Sequence, residues 1–123
     1  MGKFIIKATK TGFKFDLLAT NGQVIASSQV YKSLKTCRAG AESVMKNAPK
    51  ALIQDATVEE IVAVKNPKFN LYVDKAGEYR FNLTATNGQI IAVSEGYKKK
   101  PSAINGIESV QKNAKEAPIE VVE

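Results

Sequence analysis

Histidine is absent from this chain of 123 residues, and cysteine occurs once, as Cys37. Histidine is the most frequent general base at neutral pH and the most frequent metal ligand. Its absence removes the commonest form of acid–base catalysis, and with one cysteine no zinc-binding set of these residues exists. A single cysteine also excludes an internal disulfide, which is typical of a reducing compartment.

Long apolar runs are lacking as well. No stretch approaches the ~20 residues that span a bilayer, and Lys7 and Lys10 interrupt the N-terminus before an apolar segment of signal-peptide length. Neither a Walker loop nor a dinucleotide-binding fingerprint is present. We therefore expect a cytoplasmic protein that has no cofactor and is not an enzyme. A small enzyme without metal or histidine stays an open alternative.

Acidic residues are fewer than basic ones. The formal net charge is +6, while the hydrophobic fraction of 44% and the charged fraction of 24% are ordinary for a globular protein. A basic balance raises the chance of contact with nucleic acid. Many small proteins carry such a charge for solubility alone, so both interpretations stay open.

An internal repeat organises the chain. The second copy follows the first at an offset of 66 residues, with Gly88 matching Gly22. The identical blocks are ATNGQ (19–23 and 85–89), IA (25–26 and 91–92), YK (31–32 and 97–98), ESV (42–44 and 108–110) and KNA (46–48 and 112–114). We predict one domain over residues 1–123, with repeat one at about 3–56, a connection at about 57–66 and repeat two at about 67–123.

Each copy begins with three predicted strands. In copy two, apolar residues alternate with polar ones over 69–74 and again over 79–86, which is the period of a strand with one buried face. Asn87-Gly88 between two such runs is a strong hairpin signal, because a type I′ turn needs positive φ at both residues. The third strand, 89 to about 95, is apolar on both faces, which indicates a central position.

A helix and a fourth strand complete each copy. The helical stripes are Cys37, Ala41, Val44 and Ala48 in copy one, and Ala103, Ile107, Val110 and Ala114 in copy two. This position makes Cys37 a core residue rather than a nucleophile. A short apolar run after each helix predicts the last strand. The fold class is therefore α+β, with two tandem β-β-β-α-β repeats.

Further helical signals concern caps, charges and glycine. Thr36 and Ser102 are the predicted N-caps. The pairs Glu42–Lys46 and Glu108–Lys112 have the i,i+4 spacing and order that favour an exposed helical face. Glycine in mid-helix costs ~1 kcal/mol relative to alanine. Gly40 and Gly106 nevertheless hold equivalent positions, which predicts close packing against each helix.

Four segments of copy two form a specific combined motif: NGQIIA (87–92), SEGY (94–97), SAINGIESV (102–110) and KNA (112–114). This is a resemblance to the YegP-like family of small proteins of unknown function, and copy two is the closer match. It implies that the two repeats assemble into a single antiparallel sheet with both helices on one face. It also implies that the last strand of each repeat is exchanged into the other. No activity, cofactor or catalytic residue is implied.

Candidate functional residues lie in the basic segment after each third strand and on the uncovered sheet face. An aromatic residue beside lysines suits single-stranded nucleic acid, where stacking and phosphate charge act together. The alternative is a solvated loop that leads into a helix. The candidate partner surface comprises Tyr31, Lys32, Lys35, Arg80, Tyr97, Lys98, Lys99 and Lys100.

Our leading hypothesis is a non-enzymatic binding or accessory module whose partner is unknown, a protein being one candidate. A basic nucleic-acid-associated protein is the alternative. We expect no membrane contact, and we expect a monomer because the repeats complete each other's sheet, although an exposed edge strand could still pair.

Overall fold

A computed structural model describes residues 2–122 of the chain; Met1 and Glu123, at the ends of the predicted domain, lie outside the described residues. Each copy contributes three strands, a helix and a fourth strand. In copy one these are β1 (Lys3–Ala8), β2 (Phe13–Leu18), β3 (Val24–Ser27), α1 (Leu34–Asn47), a 3-10 turn (Ala48–Lys50) and β4 (Leu52–Asp55). In copy two they are β5 (Lys68–Val73), β6 (Tyr79–Thr84), β7 (Ile90–Val93), α2 (Lys100–Ala114) and β8 (Ile119–Val122).

One eight-stranded sheet unites the copies, in the order β4-β5-β6-β7-β3-β2-β1-β8. The last strand of each copy pairs with the first strand of the other, β4 with β5 and β8 with β1. The predicted exchange of strands is therefore confirmed, as is the α+β class. The central third strands β3 and β7 also lie where the sequence placed them.

The two edge pairings are parallel, so the sheet is mixed and the expectation of a wholly antiparallel sheet is wrong in this detail. The reason is the course of the helices. Helix α1 ends beside the turn that follows β6, since Thr86 Oγ1 contacts Asn47 Oδ1 at 3.4 Å. Strand β5 begins at that same end, with Lys68 opposite Thr84. Strand β4 follows α1 and therefore starts at this end too. It runs in the same direction as β5, as a crossover connection allows.

The two copies are related by an approximate two-fold axis. Strands β3 and β7 meet through the pair Ser27 and Val93, which are equivalent positions of the repeat. The axis therefore passes through this pair at the centre of the sheet. Since β3 and β7 are antiparallel, the turns that precede them lie at opposite ends of the sheet.

The hydrophobic core lies between the helices and one face of the sheet. Phe4 and Phe15 meet edge to face with ring centroids 5.7 Å apart, and Phe69 and Phe81 repeat the contact at 5.9 Å. All eight residues of the predicted helical stripes are fully buried. Cys37 is one of them, so the prediction that it is a core residue is confirmed. The same burial raises the pKa of its thiol.

Both predicted N-caps are wrong by about one turn. Helix α1 is capped by Ser33, whose Oγ accepts a hydrogen bond from Thr36 N at 3.1 Å. Helix α2 is preceded by Lys99, which makes no side-chain cap, so that Ser102 lies within the first turn. The apolar stripe misled the prediction, because the first turn of each helix precedes the first buried stripe residue.

The connection between the copies has no regular secondary structure from residue 58 to residue 67. Its apolar side chains Val58, Ile61 and Val62 are exposed. It is held to β4 by a hydrogen bond from Val64 N to Gln54 Oε1 at 2.9 Å. Within residues 2–122, neither helix has the length and apolar character needed to cross a membrane.

Candidate functional site

Tyr97, predicted to lie on a basic partner surface, is half-buried and packs into the fold. Its backbone pairs with Tyr79 in both directions at 2.8 Å. Its ring stacks on Phe81 with centroids 6.3 Å apart and planes 11° from parallel, and its hydroxyl lies over Gly106. Burial, followed by the charge of Glu95, raises the pKa of Tyr97. The ring is thus engaged with the protein on the side that faces α2.

Tyr31 repeats this arrangement in copy one. Its ring stacks on Phe15 at 6.3 Å, and its hydroxyl lies against Gly40. Burial and then the neighbouring Cys37 raise the pKa of Tyr31. The predicted close approach at the two helical glycines is therefore confirmed, and the groups that approach are tyrosine side chains together with a phenylalanine of the sheet.

The lysines of the two basic segments divide into exposed and paired groups. Lys32, Lys35, Lys98 and Lys99 are exposed. Lys100 instead forms an ion pair of 2.6 Å with the carboxylate of Asp55 at the end of β4.

Asp55 is held ionised by this pair. Burial opposes ionisation, but hydrogen bonds from Lys100 and Thr57 outweigh it, so the pKa of Asp55 lies below its usual value. The Lys100 pair therefore ties the exchanged strand of copy one to the helix of copy two.

Arg80 lies on the uncovered face of the sheet and is also paired. Its Nε donates to Asp74 Oδ2 at 2.6 Å, and its Nη1 donates to Ser94 O at 3.2 Å. A backbone hydrogen bond from Glu78 and the bond from Arg80 hold the pKa of Asp74 below its usual value.

Other polar side chains of the uncovered face bond to one another. Ser27 Oγ donates to Asp16 Oδ1 at 2.6 Å, and Asn70 Nδ2 donates to Asn82 Oδ1 at 2.8 Å. The sheet face thus satisfies much of its own hydrogen-bonding capacity.

Each helix forms one pocket with the β-turn of the opposite copy. We call these two equivalent pockets the twin pockets. The α2 pocket has a volume of about 380 Å³ and is lined by Ala19, Thr20, Asn21, Asn105, Glu108, Ser109, Lys112 and Asn113. The α1 pocket has a volume of about 360 Å³ and is lined by Glu42, Ser43, Lys46, Asn47, Ala85, Thr86 and Asn87. Apart from Asn105, every residue of one pocket has its identical counterpart in the other.

A buried asparagine joins the two walls of each pocket. In the α2 pocket, Asn113 Nδ2 donates to Ser109 O at 2.8 Å and to Ser109 Oγ at 3.0 Å. Its Oδ1 accepts a hydrogen bond from Thr20 Oγ1 at 3.4 Å. Asn47 repeats these contacts with Ser43 and Thr86. The pocket geometry is therefore fixed by side chains that the repeat retains.

The charged residues of the pockets are exposed and not paired with one another. The four ion pairs found among residues 2–122 include neither Glu42–Lys46 nor Glu108–Lys112. The sequence indicated an exposed helical face here, and the structure confirms that exposure. Each pocket thus presents one carboxylate and one ammonium group to solvent.

Repeat identity at exposed positions marks these pockets. At the offset of 66 residues, seven pairs are identical and exposed in both copies: Thr20/Thr86, Asn21/Asn87, Gly22/Gly88, Gln23/Gln89, Lys32/Lys98, Glu42/Glu108 and Lys46/Lys112. Four of the seven pairs, the threonines, asparagines, glutamates and pocket lysines, line the twin pockets. Sequence reasoning assigned the turn residues to a hairpin and the charges to a helix face, and so missed that they converge. The signal that could have revealed the pockets is that these residues are identical in the two copies although they are not buried.

Metal chemistry has no candidate site in the described part of the chain. No group of three or more Cys, Asp or Glu residues there is placed to hold an ion.

The fold and the twin pockets define a class of α+β protein in which two repeats exchange their last strands and build each polar pocket jointly. The chain belongs to the family described as a domain of unknown function, DUF1508, which matches residues 8–55 and 74–120. A UPF0339 protein of Bordetella pertussis is 40% identical over 95% of this chain and 92% of its own length.

Solved structures support the same membership. The solution structure of yegP from E. coli, a protein of unknown function, has a TM-score of 0.79 and 28% identity, covering 98% of this chain and 91% of that one. The resemblance to the YegP-like family is therefore confirmed.

One relative about half as long as this chain matches a stretch about the length of one repeat. A UPF0339 protein of Methanosarcina acetivorans is 57% identical over 46% of this chain and 97% of its own length.

Proposed function

We propose that this protein is a binding module whose binding sites are the twin pockets. The observation that carries the proposal is the retention of exposed Thr, Asn, Glu and Lys side chains in both copies at positions that converge on equivalent pockets. Core packing does not require these charged side chains, because they are exposed and form no ion pair with each other. Recognition of a ligand accounts for their repetition.

The module is non-enzymatic in this proposal. Among residues 2–122, the carboxyl groups with shifted pKa values are those of Asp55 and Asp74, and hydrogen bonds shift both pKa values downward. A general acid at neutral pH needs the opposite shift. Both groups lie in ion pairs that connect structural elements, which is a stabilising role.

The test is an amide NMR titration of the whole chain with three mixtures: a peptide pool, a small-metabolite pool and a pool of short single-stranded RNA and DNA. We expect at least one mixture to shift the amide signals of both pockets in the natural chain. The same mixture should leave the pocket amide signals of an E42A/K46A/E108A/K112A variant unchanged. The matched control is K32A/K98A, which alters the repeated exposed lysine outside the pockets. Pocket amides that respond to no mixture would overturn the proposal.

A basic nucleic-acid-associated function is the second candidate, supported by the exposed Lys32, Lys35, Lys98 and Lys99. Phosphate contacts make affinity fall steeply with salt. In the same titration, this function predicts shifts over residues 31–35 and 97–100 from the nucleic-acid pool, retained at physiological salt and lost in K32A/K98A.

A further inference from the structure

Resting on the proposed function, we propose that each twin pocket binds a peptide segment of a partner protein that carries one basic and one acidic side chain. We further propose that the two pockets hold two such segments of the partner at once.

The first argument for a ligand of mixed charge comes from the charged side chains of the pocket. Glu108 and Lys112 lie one helical turn apart on α2, and both are exposed and not paired with each other. A ligand that carries both signs of charge can complement both groups. A purely anionic ligand meets repulsion from Glu108, and a purely cationic one meets repulsion from Lys112. The pocket therefore favours a ligand of mixed charge over a phosphate backbone.

The second argument, for a peptide backbone as the ligand, comes from the side-chain amide groups of the pocket. Asn21, on the wall opposite α2, is exposed and is anchored by its Oδ1, which accepts from Gln23 N at 3.0 Å. Its Nδ2 makes only a long contact of 3.4 Å with Gln23 Oε1. A side-chain amide both donates and accepts hydrogen bonds, which suits the N–H and C=O groups of a peptide backbone. Asn105 adds a second exposed amide in the α2 pocket.

The third argument, for occupation of both pockets at once, comes from the symmetry of the chain. The turns that form one wall of each pocket lie at opposite ends of the sheet, and both pockets present the same Glu, Lys, Thr and Asn side chains. A partner that offers the same segment twice, such as a homodimer, can occupy both. Linking the two segments raises the overall affinity, because binding of the second segment becomes intramolecular and depends on its effective concentration.

The experiment uses a capped hexapeptide with one Lys and one Asp in a Gly/Ser background, alongside versions that carry only one or neither charge. We expect the mixed-charge peptide to shift the amides of both pockets and to bind about two- to fivefold more tightly than the single-charge versions, with the advantage lost at high salt. Equal binding of the uncharged peptide would overturn the role of charge.

Two variants test the pocket directly. Two hexapeptides, one with Lys before Asp and one with Asp before Lys, should bind the natural chain unequally. In E42K/K46E/E108K/K112E each pocket keeps both charges in exchanged positions, and we expect this order preference to reverse. K32A/K98A, outside the pockets, should bind like the natural chain. An unchanged order preference in the exchanged variant would contradict the proposal.

Tandem peptides test simultaneous occupation. Two mixed-charge segments joined by flexible linkers of about 10, 20 and 30 Gly/Ser residues should bind as 1:1 complexes, and the best linker should gain ~100-fold in affinity. E108Q/K112M, which removes the charges of one pocket, should abolish most of that gain and leave single-segment binding at the α1 pocket. No gain at any linker length would overturn bivalent binding.

The outcomes separate this inference from the proposed function. Pocket shifts with the metabolite or nucleic-acid pool, but not with these peptides, would overturn the peptide assignment and leave a binding module. Pocket amides that respond to none of the mixtures and none of the peptides would overturn both.

Discussion

At the scale of single residues, Gly106 shows why both helices keep a residue that weakens them. A Cβ at Gly106 would lie 2.6 Å from Tyr97 Oη and 3.0 Å from Tyr97 Cζ. Alanine would add about 1 kcal/mol of helical stability, but overpacking a filled core costs about 1–3 kcal/mol. We expect Gly106→Ala to lower the free energy of unfolding by about 1 kcal/mol net, measured by urea denaturation.

The background Tyr97→Phe supplies the control for this substitution. Removing the hydroxyl opens space beside Gly106, so Gly106→Ala should cost less there than in the natural chain, and a double-mutant cycle measures that coupling. The same cycle at Gly40 and Tyr31 should give coupling of the same sign. Equal costs with and without the tyrosine hydroxyl would show that the hydroxyl contact does not explain the glycine.

Ser94 and its equivalent Ser28 offer a second comparison between copies. Ser94 Oγ accepts a buried hydrogen bond from Phe81 N at 2.9 Å and donates a partly buried one to Glu95 O at 2.8 Å. Ser94→Ala leaves a buried N–H without an acceptor, which costs about 1–3 kcal/mol. Ser28 makes the equivalent bond to Phe15 N at a partly exposed position, where water can replace it. We therefore expect thermal unfolding to show the larger loss for Ser94→Ala, whereas equal losses would contradict this explanation.

At the scale of elements, the strands and helices were largely predictable because local patterns determine them. The alternation over 79–86, the turn at Asn87-Gly88 and the helical stripes each depend on near neighbours in the chain. The turn forms where it was predicted, but type I′ is wrong, because Gly88 has positive φ (84°) and Asn87 does not. Element ends were less predictable, as the caps show, because Ser33 and Lys99 precede the first buried residue of each stripe. The direction of β4 and β8 depends on where each helix ends against the other copy, which local patterns do not contain.

The ion pair between Asp55 and Lys100 joins an exchanged strand to a helix and has no counterpart in the other half, where the equivalent residues are Val121 and Leu34. The pKa of Asp55 is lowered in the folded state, so its contribution to stability is present above its unfolded pKa and is lost as pH falls through the folded value. We expect Asp55→Asn to reduce the free energy of unfolding at pH 7 by up to about 1 kcal/mol.

Denaturation curves recorded from pH 7 down to pH 2 measure this effect. The difference between Asp55→Asn and the natural chain should shrink below about pH 4, where the unfolded carboxyl takes up a proton. In a Lys100→Met background the effect of Asp55→Asn at pH 7 should be smaller. A difference that does not change with pH would indicate loss of packing rather than loss of charge.

At the scale of the whole molecule, the candidate site is a product of the exchange between repeats. Each twin pocket takes one wall from a helix and the other from the turn of the opposite copy. Sequence reasoning located Glu108, Lys112 and Asn21 correctly on their own elements. It could not bring them together, because their proximity requires α2 to end beside the turn of copy one. The basic surface drew attention instead because its residues are adjacent in the chain.

The same exchange predicts that the chain survives a cut between its copies. Residues 58–63 of the connection are exposed, whereas β4 pairs with β5 and β8 pairs with β1 across the two halves. We expect a chain cleaved at an engineered protease site between residues 60 and 61 to remain a 1:1 complex on size-exclusion chromatography and in native mass spectrometry.

Deleting β8 by ending the chain after Lys115 should weaken this complex, because β1 then loses its parallel partner. Each pocket takes its two walls from different halves. The cleaved complex should therefore keep the amide chemical shifts of both pockets, and fragments that separate should lose the shifts of both pockets at the same time. Halves that part on cleavage yet each keep a folded spectrum would contradict the view that exchange holds the sheet together.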